Sequence, residues 1–130
     1  MRKIALLAAV GLLATLGPTA VVAHPGHQRP KITVMRWKDL PVKVDRFEKL
    51  IVKAHDPQAK MSSITVFWGD GVKDHADSFC AIGEAGEDIR YVLDHKYQKT
   101  GTYIVRAQVE SCDEENNLSR WKKLETTVKP

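Results

Sequence analysis

Asp70, Asp74, His75 and Asp77 lie together in one polar stretch of the chain. Oxygen-rich loops of this type hold Ca²⁺, but the spacing is not that of an EF-hand. The competing reading is a set of turn-forming, solvated aspartates. A second metal idea rests on His24 and His27. Removal of a leader after Ala23 would make His24 the first residue, whose amine and ring nitrogen chelate Cu²⁺, and His27 would add a third nitrogen. Trp37 and Trp121 bring a third chemistry, stacking on sugar rings if exposed, against the alternative of half-buried residues at a sheet edge. Catalysis finds less support. There is no Gly-x-Ser-x-Gly and no glycine-rich phosphate loop before a helix, and Asp113-Glu114-Glu115 reads as a solvated charge run. The expectation is a non-enzymatic protein with no cofactor.

Cys80 and Cys112 are the two cysteines. In an exported chain they read first as one disulfide, which would stabilise the fold by about 3–4 kcal/mol on the chain-entropy model. Buried thiols and a metal site are the alternatives, the latter without CxxC or histidine spacing to support it.

Export is expected from the first 23 residues. Arg2 and Lys3 precede an apolar run from Ile4 to Leu16, then Gly17-Pro18 and the small-residue site Val21-Val22-Ala23. This is the three-part pattern of a secretory signal peptide, and the run is shorter than the roughly 20 residues a spanning helix needs. A membrane anchor is the alternative reading; cleavage would leave no membrane span and a secreted, extracellular product. Residues 24–30 then form a Pro/Gly-rich arm, and residues 31–130 a single domain. The formal charge of +4 includes Arg2 and Lys3, and charges of both signs are interspersed. Nothing in that balance asks for nucleic acid. A protein or a surface polysaccharide is the expected partner.

The elements that must position these residues are strands. From Thr102 to Glu110, Tyr103, Val105, Ala107 and Val109 share one side of an extended chain. Lys99-Thr100-Gly101 before it reads as a turn. Further strands are expected at Ile32–Trp37, with Ile32, Val34 and Arg36 on one side; at Val42 and Val44; and at Phe47–Ala54, with Leu50, Val52 and Ala54 inward. Helix competes over Val44–His55, but the Ile51-Val52 pair and Asp56-Pro57 favour strand. Ser63–Trp68, Phe79–Ile82, Ile89–Leu93 and Trp121–Val128 complete the set, and Val72–Ser78 is read as polar loop. About seven short strands without a helix predict an antiparallel sandwich.

Trp68-Gly69-Asp70-Gly71, His95-Lys96-Tyr97 and Gly101-Thr102-Tyr103-Ile104-Val105 stand in order at a normal separation. In this the chain resembles the PKD domain, the immunoglobulin-like β-sandwich named from polycystic kidney disease protein. The resemblance runs from Phe47 to about Val128. Val66 stands where the family often has Trp, and Lys31–Arg46 matches the pattern poorly. It implies an all-β, immunoglobulin-like fold and a spacer or binding role. Tyr103, or else Tyr97, is expected to bury its ring and cap a backbone group across the sandwich. His95 is expected to be a packed, hydrogen-bonded histidine rather than a ligand.

Overall fold

The computed structural model describes residues 28–57, 62–77, 88–112 and 117–130. The leader, His24, His27, Cys80, the Phe79–Ile82 segment and the Asp113–Glu115 run lie outside them. Eight strands are seen: β1 (Lys31–Trp37), β2 (Val42–Lys43), β3 (Phe47–His55), β4 (Ser62–Phe67), β5 (Lys73–Ala76), β6 (Asp88–Lys96), β7 (Gly101–Ser111) and β8 (Lys122–Lys129). They form a three-stranded sheet, β1-β3-β6, and a five-stranded sheet, β2-β8-β7-β4-β5. The described residues contain no helix. The chain is an all-β, immunoglobulin-like sandwich.

Period-two patterning builds both inner faces. In β3 and β6, Leu50, Val52 and Ala54 face in with Ile89, Tyr91 and Leu93. Opposite them lie Ile64 and Val66 of β4, Val105, Ala107 and Val109 of β7, and Thr126 and Val128 of β8. β7 sits between β4 and β8 at the centre of the larger sheet. Ile51 departs from the pattern. It is buried from the outer face of the smaller sheet, where its neighbours in register are Arg36 and Val92; long cationic stems cover apolar surface in this way.

Two expectations need correction. In β1 the inward residues are Ile32, Met35 and Trp37, while Arg36 is exposed. The register shifts between Ile32 and Val34, as a β-bulge does, and the parity of every later side chain reverses. Val72–Ser78 is not a loop throughout, because Lys73–Ala76 forms β5 and pairs with β4 from Ile64↔Ala76 to Phe67↔Lys73. As an edge strand it buries little, so a polar sequence suffices.

The tight turn between β4 and β5 was expected at Gly69-Asp70-Gly71. Trp68 N–H donates to the Val72 carbonyl at 3.0 Å, and Val72 N–H donates to Asp70 Oδ1 at 3.1 Å. Gly69 and Gly71 have φ of 90° and 93°. A Cβ on Gly69 would meet the Ile104 carbonyl oxygen at 2.9 Å, whereas one on Gly71 would meet nothing within 4 Å. Both alanine variants therefore carry backbone strain, of about 1–2 kcal/mol, but Gly69→Ala also forces β7 to shift. Urea melts should show Gly69→Ala less stable than Gly71→Ala by about 1–3 kcal/mol.

Candidate functional site

Trp68 follows β4 directly and is fully buried. An indole N–H out of water needs an acceptor. Asp74 of β5 supplies it, with Oδ2 at 2.6 Å from Trp68 Nε1. Because Asp74 pairs in register with Val66, its carboxylate lies on the inner side of the hairpin, within reach of the indole. The Trp68 carbonyl accepts the Tyr97 hydroxyl at 3.0 Å. The ring lies flat on the His95 imidazole, centroids 4.4 Å apart and planes 5° apart.

His95 is the last inward residue of β6 and is 6% exposed. Its Nε2 is 2.8 Å from Asp70 Oδ2. Asp70 thus fixes the turn through one oxygen and the histidine through the other. His95 is the packed, hydrogen-bonded residue expected of it. Tyr97 meets its ring edge-on at 4.6 Å and stacks on Tyr103 at 4.4 Å.

The two tyrosines divide the role that was expected of one. Tyr97 is fully buried and reaches across to Trp68; the Asp45 N–H donates to its carbonyl at 2.8 Å. Tyr103 is half-buried and donates back to the Lys99 carbonyl at 2.9 Å, the local bond of a tyrosine corner. Burial pushes the Tyr97 pKa far above that of an ordinary phenol, and the nearby Asp70 carboxylate and Tyr103 add to the shift.

Trp37 is a correction. It is 6% exposed, donates from Nε1 to Thr126 Oγ1 at 2.8 Å, and stacks on Trp68 at 6.0 Å. It offers no face to a sugar. Its polar partner lies on β8, so its side chain ties β1 to the opposite sheet. Trp121 is the exposed tryptophan, at 42%.

The aspartates read as a calcium loop do not converge. Asp70 turns to His95, Asp74 to Trp68, and Asp77 Oδ1 accepts from His75 Nε2 at 2.8 Å. Thr65 Oγ1 holds the other His75 nitrogen at 3.0 Å. Among the described residues no three His, Cys, Asp or Glu side chains are placed to hold a metal ion. No cysteine among them is a free thiol; Cys112 follows β7, and its expected partner Cys80 lies outside the described set.

Solved structures share this fold. The PKD domain of an M14-like peptidase from Thermoplasmatales archaeon SCGC AB-540-F20 superimposes with a TM-score of 0.62 at 23% identity, over 80% of this chain and 99% of that one. The fold is PKD-like. The CARDB domain of the PF1109 protein from Pyrococcus furiosus, crystallised with di-metal ions, gives a TM-score of 0.51 at 14% identity over 78% of this chain and 86% of that one. No protein-family model matches the sequence, and no curated protein matches it significantly.

In this PKD-like domain the signature residues act on one another, joining the ends of β1, β4, β6 and β7. Sequence reading missed a second group, on the outer face of the larger sheet. Phe67, Arg106 and Lys123 stand in register across β4, β7 and β8, with Lys73 of β5 beyond Phe67. The Arg106 guanidinium lies 5.4 Å from the Phe67 ring and 5.9 Å from the Trp121 ring. Alternation marks Phe67 and Arg106 as outward, but only strand order makes them neighbours.

Two measurements check the site. The unfolded chain releases a Tyr97 proton from about pH 10, while the folded domain holds it to higher pH. Above that point the unfolded state binds fewer protons, so stability should fall by about 1.4 kcal/mol per pH unit. Tyr97→Phe should lack this component of the alkaline slope, and should lose about 1 kcal/mol at neutral pH with its hydrogen bond. Urea melts of both proteins at pH 8 and pH 11 read the difference. Adding millimolar Ca²⁺ should leave the melting temperature unchanged, since among the described residues no group of aspartates is poised to bind it.

Proposed function

We propose that the chain is an exported, non-enzymatic module that works by contact at or outside the cell surface. One observation carries this reading. The acidic, histidine and aromatic side chains that would draw attention as a reactive centre are engaged in holding the sandwich together. Asp70, Asp74, His95 and Tyr97 all direct their polar atoms at one another or at the Trp68 unit.

Such a scaffold holds loops and an outer sheet face in fixed geometry, which suits recognition better than turnover. The similar PKD domain is part of a peptidase, and a role as the accessory surface of a larger assembly fits that example. Export accounts for the leader in residues 1–23. It also places Cys80 and Cys112 in a compartment where a disulfide persists. That bond would tie the end of β7 to the segment before β6.

Expression of the full chain with its leader tests the proposal. The product should leave the cytoplasm, begin at His24 on N-terminal sequencing, and weigh two hydrogens less before reduction than after it. It should also sediment with cell envelopes. An uncleaved cytoplasmic product with two titratable thiols would remove the exported module.

A further inference from the structure

The outer face of the larger sheet and the adjoining end of the sandwich form one cationic surface around Trp121. The row Lys73, Phe67, Arg106, Lys123 crosses four neighbouring strands and so spans about 14 Å. Arg106 lies against two aromatic rings, and Lys73 Nζ lies 5.8 Å from the Phe67 centroid. Cation–π contact holds such side chains in place without neutralising them.

Trp121 also walls an open groove of ≈ 410 Å³ at the sheet end, floored by Pro30 and Ile32. The remaining lining is Arg29, Lys31, Arg120 and Lys122. Among the described residues no carboxylate lines it. Among the described residues, none of these four cations, nor Lys73, Arg106 or Lys123, joins an ion pair. Seven cations outside any ion pair thus gather about one exposed indole.

We propose that this surface binds an acidic polysaccharide, with sugar rings against Trp121 in the groove and carboxylate or sulfate groups on the flanking cations. The inference rests on the reading of the chain as an exported recognition module. Charge complementarity calls for a repeating anion, because the cations continue from the groove onto the flat sheet. An open groove in the size range of ligand clefts, with one apolar wall and polar rims, suits a short run of sugar rings. Single-stranded nucleic acid fits less well. It needs successive free aromatic faces, and here Phe67 is flanked by Arg106 and Lys73, leaving Trp121 alone.

Affinity electrophoresis of the exported protein through gels holding polygalacturonate, dextran sulfate or neutral dextran tests the assignment. Retardation is expected in the two acidic gels and not in the neutral one. Arg120→Glu/Lys122→Glu should weaken it by about tenfold or more. Trp121→Ala, which changes no charge, should weaken it about threefold to tenfold. Lys53→Glu, on the other sheet, should leave it unchanged, with melting temperatures confirming that each variant is folded. Equal weakening by Lys53→Glu would reduce the effect to net charge and overturn the site. Equal or tighter binding of an oligothymidylate would overturn it in favour of nucleic acid. Absence of retardation in both acidic gels would overturn it while leaving the module reading intact, provided the protein still sediments with cell envelopes.

Discussion

The PKD-like sandwich depends on the complete burial of one indole. Trp68 sits where β4 ends and a glycine turn begins, so its ring N–H, its backbone N–H and its carbonyl all leave water together. Each unmet bond there would cost about 1–3 kcal/mol. Asp74, Val72 and Tyr97 meet them in turn. These partners come from two different elements and the turn between, so the requirement of one residue fixes the β4–β5 hairpin and the end of β6 at once.

From that requirement the neighbouring identities follow. Asp74 must face inward, which makes the polar stretch after Gly71 a strand. Gly69 must lack a side chain because the Ile104 backbone runs against it. His95 fills the flat space on the indole and gives its ring nitrogen to Asp70, the residue that also closes the turn. Trp37 covers another side of the indole and draws β1 towards β8. The motif spacing therefore records a packing solution, built on a fold shared with a PKD domain at only 23% identity.

Much of this is legible in the chain. Alternation at Tyr103–Val109 and Leu50–Ala54, the glycines flanking Asp70 and the absence of helical periodicity lead to the sandwich. Three features escape for separate reasons. The bulge near Thr33 inserts one residue into β1, which no periodicity reveals, so Trp37 lands inside and Arg36 outside. β5 is an edge strand with a solvated side, so its composition resembles a loop. The clustering of Phe67, Arg106 and the Trp121–Lys123 segment depends on strand order, since these three places are far apart in sequence. The internal network could be read locally because a motif carries it; the outer surface could not, because its members meet only after folding.

The second and last strands meet in a particular way. β2 runs parallel to β8, with Val42 beside Val128 and Lys43 beside Lys129, and the Val44 N–H reaches the Lys129 carbonyl. Parallel neighbours are drawn in opposite directions when the start of one and the end of the other are pulled apart. Tension then slides one strand along the other and loads their bonds side by side, where an antiparallel pair would unzip singly. Seen as a mechanical link, the domain has a clasp at the seam where β2 lies along β8.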